Sequence, residues 1–229
     1  MKLSIIVPVY NEEKTIEEII RRIEAVSLPL EKEIILVEDG STDGTREILK
    51  DLEKKYLVIY HPENYGKGQA IRSGLEEAKG DIILIQDADL EYSPKDYPEL
   101  LRPILENKTE VVFGSRYLRK NYKIPNAYFL YYLGNKLTNW LLNLLYGSKL
   151  TDPWTCYKVF KGGVLKDLDL KSNCFEIEIE MTVKTLKKKY KILEVPVDYL
   201  PRKIKEGKKI RWWRDGFKGL FTIIKYRIF

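Results

Sequence analysis

Asp81-Ile82-Ile83-Leu84-Ile85-Gln86-Asp87-Ala88-Asp89 runs from four consecutive aliphatic residues into two acids. A short unbroken aliphatic run between polar residues reads as an interior strand of a parallel sheet over residues 81–86. Alternation along an extended chain points Asp87 and Asp89 the same way, with Ala88 facing away from them. Two carboxylates at the carboxyl end of a strand supply hard oxygen donors for Mg²⁺ or Mn²⁺, with diphosphate oxygens and water completing the shell. Glu91, two residues on, can add a third oxygen. Asp-x-Asp alone fits a solvated acidic loop or a helix N-cap better; its place after an interior strand moves the balance toward a metal.

The flanking sequence supports that placement. Residues 3–9, 34–37, 57–60 and 110–113 read as further strands. Between them, residues 12–26 carry Ile16, Ile19, Ile20 and Ile23 at helical spacing. Ser41-Thr42-Asp43 caps a helix running to about residue 55, residues 66–79 form a helix closed by Gly80 as its C-terminal cap, and Ser93-Pro94 opens a fourth. The alternation predicts an α/β fold with a parallel sheet and helices on both faces, with ligands at the carboxyl ends of the strands. Beyond residue 115 the pattern changes. Residues 127–146 are helical and crowded with aromatic and leucine side chains, residues 155–160 and 192–199 read as strands, and residues 175–189 form a helix between them.

Composition narrows the chemistry. The chain has 229 residues, 44% of them hydrophobic, and a net charge of +6, which suits an anionic partner: a nucleotide, a nucleic acid or an acidic membrane face. The one histidine, His61, excludes a multi-histidine metal site and leaves few ways to build a Ser-His-Asp triad; before Pro62 at a strand end it reads as structural. Cys156 and Cys174 make no metal-ligand spacing and suit a reducing compartment. The N-terminal apolar run is too short for a signal peptide, and no stretch reaches the ~18 apolar residues of a membrane span. Chemistry must run on carboxylates, Lys, Arg and a bound cation.

Two other segments end at the same side of the sheet. Asp39 and Asp43 lie in Glu38-Asp39-Gly40-Ser41-Thr42-Asp43-Gly44 after the second strand. Asp43 reads as a turn and cap residue, whereas Asp39 sits early enough to meet a ligand. Asn64-Tyr65-Gly66-Lys67-Gly68-Gln69-Ala70 opens the third helix, where glycines allow close approach and the helix N-terminus favours phosphate. It is neither a Walker A loop nor a dinucleotide fingerprint, since Ile71 stands at the third glycine's place.

Pro8-Val9-Tyr10-Asn11-Glu12, the Asp39 turn, Asn64-x-Gly66-Lys67-Gly68-x-Ala70, Asp87-Ala88-Asp89-Leu90 and Gly114-Ser115-Arg116-Tyr117 occur in that order. They are followed by Thr151-Asp152, Thr155-Cys156-Tyr157-Lys158, Glu178-x-Glu180-x-Thr182, Glu194-Val195-Pro196-Val197, Tyr199-x-x-Arg202 and Glu206-Gly207-Lys208-Lys209-Ile210. Each motif is weak singly; the ordered set resembles the family 2 glycosyltransferases with the GT-A fold, in the subgroup similar to dolichyl-phosphate mannose synthases and other polyprenyl-phosphate hexosyltransferases. The resemblance implies that Pro8, Tyr10, Glu12 and Asp39 line the nucleoside pocket, and that Asp87, Asp89 and Glu91 hold the metal and diphosphate. With Lys67, these are the expected donor-site residues. It further implies that Arg116 and Arg202 receive the acceptor phosphate and that Asp152 lies near the reaction centre. Two departures mark the chain: Glu38 stands where the family often has Asp, and Trp154 where the close subgroup carries an acid, so contacts near the sugar are expected to differ.

The expected activity is that of an inverting, metal-dependent transferase moving a hexose from GDP-mannose, UDP-glucose or a similar donor to a polyprenyl or dolichyl phosphate at the cytoplasmic membrane face. A lipid monophosphate is already anionic, so no strong base is needed. A sugar-hydroxyl acceptor, the alternative, would need one, with Asp152 as the candidate. A non-catalytic basic adaptor for nucleic acid or membrane is disfavoured by the intact Asp87-x-Asp89 and the small charge excess, and no nucleic-acid partner is expected. Residues 1–200 read as one GT-A domain, with a nucleotide-sugar half (1–115) and an acceptor half (116–200). Residues 201–229 read as a basic amphipathic tail that associates peripherally with an anionic membrane. The tail's apolar face carries Trp212, Trp213, Phe217, Leu220, Phe221, Ile224 and Ile228, with Lys203, Lys205, Lys208, Lys209, Arg211, Arg214, Lys218 and Lys225 around it. A helix packed on the core fits that pattern equally well, and a membrane-protein partner is a further possibility. Tyr128, Phe129, Tyr131, Tyr132, Trp140 and Leu144 form either a second membrane contact or a core face.

Overall fold

The computed structural model describes residues 1–119, 129–202 and 212–228. Seven strands form one sheet: β1 (Lys2–Val9), β2 (Glu31–Glu38), β3 (Leu57–Tyr60), β4 (Ile82–Ile85), β5 (Val111–Ser115), β6 (Lys158–Lys161) and β7 (Ile192–Pro196). The helices are α1 (Ile16–Ala25), α2 (Thr45–Leu52), α3 (Lys67–Glu77), α4 (Tyr97–Leu105), α5 (Phe129–Tyr146), α6 (Gly162–Asp167), α7 (Ile177–Lys187) and α8 (Trp212–Ile228). The strand order is β3-β2-β1-β4-β6-β5-β7.

Both faces of the sheet are covered, as the aliphatic strands require. Leu3, Ile5, Val7 and Val9 of β1 pack with Ile16, Ile19, Ile20 and Ile23 of α1 and with Leu100, Leu101 and Ile104 of α4. On the opposite face Ile6, Ile35 and Val37 meet Ala70 and Ile71 of α3 and Ile177 and Met181 of α7. β3, β2, β1 and β4 are mutually parallel, and β5 is parallel to β7. β1 to β5 run in one sense, the parallel core expected, and β6 alone is inserted antiparallel between β4 and β5. The reason lies at the carboxyl end of β5, where the Ser115 and Thr151 hydroxyls are 2.6 Å apart. The chain therefore re-enters the sheet from the end it left, and β6 must run back.

Gly80 does not cap α3. The helix ends at Glu77, Ala78 is extended (φ −66°, ψ 123°), and the Gly80 amide donates to Ser4 Oγ at 2.8 Å. Glycine is required there by close approach: a Cβ would press on the Ser4 amide nitrogen at 2.5 Å. Asp43 accepts from the Thr45 amide at 3.0 Å, ahead of α2. His61 is buried between Asp39, 2.7 Å from Nδ1, and Ser73, 3.0 Å from Nε2.

α8 is packed against the domain. It meets α5 and α7, Ile223 is fully buried, and the Tyr226 hydroxyl donates to Glu180 of α7 at 2.7 Å. Lys203, Lys205, Lys208, Lys209, Arg211 and Tyr128, named above for a membrane contact, lie outside the described residues, as do the side chains of Tyr131, Trp212 and Trp213. No helix among the described residues is long and apolar enough to cross a membrane.

Candidate active site

A cavity of about 440 Å³ opens at the carboxyl ends of β1, β2, β4 and β5. Pro8, Tyr10, Glu12, Asp39, Lys67, Asp87, Asp89, Glu91, Arg116 and Arg202 all line it. Asp152 does not.

β4 ends at Ile85, and Ala88 and Asp89 form a turn in which Leu90 takes a positive φ of 63°. The two acids thus reach the cavity through a turn and not through strand alternation, although Ala88 is buried in the core as alternation implied. Asp87 lies 2.6 Å from Lys67 Nζ, which also lies 2.9 Å from Glu178; Glu178 in turn accepts from Lys158 at 2.7 Å. Burial opposes ionisation of Asp87, but the Lys67 ammonium overrides it and holds that carboxyl below its ordinary value. Asp89 behaves oppositely. Burial first, then the Asp87 and Glu91 carboxylates, push it up to about 7 against the pull of Arg202. Arg202 donates to Asp89 and to Glu12, each at 3.1 Å.

Among the described residues no three acidic, histidine or cysteine groups are arranged to hold a metal, so the Asp87–Asp89–Glu91 ligand trio is not assembled. Glu91 is engaged elsewhere: it accepts from the Tyr199 hydroxyl at 2.6 Å and from the Arg202 amide at 2.8 Å, clipping segment 199–202 beside the turn. Asp87 and Asp89 still offer oxygen donors on the cavity wall, close enough for their charges to repel. That donor chemistry fits a hard divalent cation whose remaining ligands come from phosphate and water.

Asp39 fixes the glycine-rich loop. Its carboxylate accepts from the Tyr65 and Gly66 amides at 3.0 and 2.9 Å. Gly66 has φ +97°, a conformation that an L side chain would strain. Gly68 packs against the Ser172 carbonyl, so Gly68→Ala would drive a methyl into backbone. The expected loss is about 1–3 kcal/mol of stability, read from urea unfolding; an unchanged midpoint would show that the 172–173 loop yields freely.

At the opposite end, Arg116 forks onto Asp152 through Nε and Nη2, each at 2.7 Å, and its own amide donates to the same carboxylate at 3.1 Å. Asp152 is fully buried and accepts a fourth bond from Asn135 at 3.3 Å. It therefore stands behind Arg116, not in the cavity. Arg116 stacks on Tyr199, 5.0 Å to the ring centre, and reaches the cavity wall. Asn135 escaped the sequence reading. It lines the cavity, donates to Tyr117 at 3.0 Å, and keeps its side-chain oxygen buried without a partner.

The profile of glycosyl transferase family 2 matches residues 4–168. The chain belongs to this family. It is 32% identical to dolichol-phosphate mannosyltransferase from Pyrococcus furiosus over 87% of its own length and 56% of that protein. It is 30% identical to dodecaprenyl-phosphate galacturonate synthase from Rhizobium johnstonii, over 74% and 51% respectively. The chain thus spans about half the length of these two curated relatives. Glucosyl-3-phosphoglycerate synthase from Mycobacterium tuberculosis, crystallised with Mn²⁺, UDP and phosphoglyceric acid, superimposes with a TM-score of 0.75 at 21% identity, covering 99% of this chain and 78% of that one. The fold of this glycosyltransferase is therefore GT-A, a mixed seven-stranded sheet with helices on both faces.

Proposed function

We propose that this family 2 glycosyltransferase moves a hexose from a nucleoside-diphosphate sugar, GDP-mannose, UDP-glucose or similar, to a polyprenyl or dolichyl phosphate, with inversion, while peripherally associated with the cytoplasmic face of a membrane. The observation that carries the reading is the fate of Asp152. The acceptor end of the cavity presents the Arg116 guanidinium, and Asp152, the carboxylate a sugar-hydroxyl acceptor would need as base, is buried behind it. An anionic phosphate oxygen needs no base, and a fork of N–H donors suits it. The two relatives named above support the same acceptor class.

In this reading the nucleoside lies along Pro8, Tyr10, Glu12 and Asp39, and the diphosphate beside Lys67, Asp87 and Asp89. Mg²⁺ or Mn²⁺ held by Asp87 and Asp89 would neutralise charge on the departing diphosphate. Arg116 and Arg202 hold the acceptor phosphate in line. Its oxygen forms the bond to the anomeric carbon as the bond to the diphosphate oxygen breaks, and Asp152 keeps Arg116 oriented. A panel of nucleotide sugars, incubated with Mn²⁺ and a short-chain polyprenyl phosphate and analysed by product mass, tests this. Transfer to a sugar hydroxyl but never to the phosphate would refute the acceptor.

Arg202 donates to Glu12 and Asp89 on the donor side, and in this reading its guanidinium also meets the acceptor phosphate. Arg202→Ala is expected to raise KM for the lipid phosphate about 10- to 100-fold, the value of one or two charge-assisted hydrogen bonds, with a smaller effect on donor affinity. Collapse of donor binding with an unchanged lipid KM would assign Arg202 to the donor side.

A further inference from the structure

Asp152, behind Arg116, and Cys156, whose thiol hydrogen-bonds Asp87, lie close together in the chain. The first braces the acceptor end of the cavity and the second touches the donor end. Between them Pro153 and Trp154 form the central pair of a turn, closed by the Thr155 amide onto the Asp152 carbonyl at 3.3 Å. Proline suits the first central position because its φ is already fixed there, which leaves the second to Trp154. The indole lines the cavity. In-line transfer requires the migrating sugar to lie between the leaving diphosphate and the incoming phosphate. Trp154 is the side chain that this turn delivers to that midpoint.

The ring is firmly seated. Lys158, fully buried, donates to the Pro153 and Thr155 carbonyls that bracket Trp154, and to Glu178 at 2.7 Å. The ammonium thereby uses all its protons, and the turn is pinned. The indole packs against a buried cluster that includes Leu142 of α5, Ile179 of α7 and Ile223 of α8. Gly219 of α8 completes the seat: a Cβ there would stand 2.3 Å from Cζ2 and 2.6 Å from Cη2 of the ring. Glycine weakens a helix interior, so the close approach of the ring accounts for its place at 219.

A polar group beside the turn calls for the same ligand. Asn135 is 8% exposed, lines the cavity and bonds Asp152. Its Nδ2 must face that acceptor-only carboxylate, and it also donates to the Tyr117 hydroxyl. The amide is thereby oriented, and Oδ1 is left buried without a partner. A phosphate dianion brings no donor to satisfy it, whereas a sugar hydroxyl does. An apolar ring with an open acceptor beside it complements a hexose, which presents C–H bonds on its faces and hydroxyls at its rim.

We infer that Trp154 is the sugar-reading residue of the transfer: the C–H face of a neutral hexose rests on the indole, and a hydroxyl of the same sugar donates to Asn135 Oδ1. The inference rests on the nucleotide-sugar donor proposed above and deepens it by assigning the wall that meets the sugar. The diphosphate and base lie toward Lys67 and Asp39 in that reading. Trp154 therefore adds to the binding of the nucleotide sugar and not to that of the bare nucleoside diphosphate.

Calorimetric titration with UDP-glucose and UDP, and with GDP-mannose and GDP, each in the presence of Mn²⁺, separates the two contributions. For the pair that the wild type binds, Trp154→Ala is expected to weaken the nucleotide sugar about tenfold, the equivalent of about 50 Å² of apolar surface kept from water. The nucleoside diphosphate should stay within twofold. Trp154→Phe should bring sugar binding back to within about threefold of the wild type, whereas Trp154→Leu, apolar but without a ring, should not. Gly219→Ala pushes the indole from its seat and should weaken the nucleotide sugar at least threefold from outside the cavity, again sparing the diphosphate. Should Trp154→Ala fail to fold, Trp154→Leu carries the same comparison. Equal losses for the sugar nucleotide and the bare diphosphate, or no loss for either, overturn the assignment of Trp154. A wild type that binds neither UDP nor GDP overturns the donor reading itself, and this assignment with it.

Discussion

Asp89→Ala is expected to lower metal-dependent transfer at least ~100-fold, the loss of on the order of 3 kcal/mol of transition-state stabilisation. Asp87 has Lys67 at 2.6 Å, whereas burial first, and then the Asp87 and Glu91 carboxylates, push Asp89 up to about 7 against the pull of Arg202. An added divalent cation would offset that crowding of carboxylates. The same crowding predicts that the fold survives the change, because removing one carboxylate relieves repulsion. Melting with and without Mn²⁺, beside initial rates at saturating Mn²⁺, checks both halves. A variant that turns over near the wild-type rate would remove the Asp87–Asp89 turn from the metal role.

Asp152→Ala should be the most destabilising single change at the site. It leaves the Arg116 guanidinium, itself largely buried, without its forked partner, and deprives the Arg116 amide and Asn135 of an acceptor. Breaking a buried pair from one side costs about 3–5 kcal/mol. For a domain of this size that lowers the melting temperature by roughly 10 °C. Asp152→Asn keeps one acceptor oxygen and should cost less. Its kinetics separate the two acceptor classes: a positioning role raises KM for the lipid phosphate, whereas a base role would lower kcat at least ~100-fold with KM unmoved. The second pattern would restore a hydroxyl acceptor.

Much of this was legible in the sequence because it is encoded locally. The aliphatic run of β4, the isoleucines of α1 at helical spacing and the glycines at the start of α3 each declare their structure within one turn or strand. The strand ends then bring Pro8, Glu12, Asp39, Lys67, Asp87, Asp89, Arg116 and Arg202 to one cavity. What the tertiary structure alone decided depends on residues far apart in the chain. The chain comes back to the carboxyl end of β5 at the Ser115–Thr151 contact, so β6 runs antiparallel. Tyr199 and the Arg202 amide occupy Glu91, and Arg116 takes up Asp152, 36 residues away. The chain of buried charges from Asp87 through Lys67 and Glu178 to Lys158 joins an N-terminal turn to a C-terminal helix. Periodicity reports which face of an element is buried. It carries no record of which distant donor meets a given carboxylate, because that pairing is set by how the crossovers return each segment to the sheet.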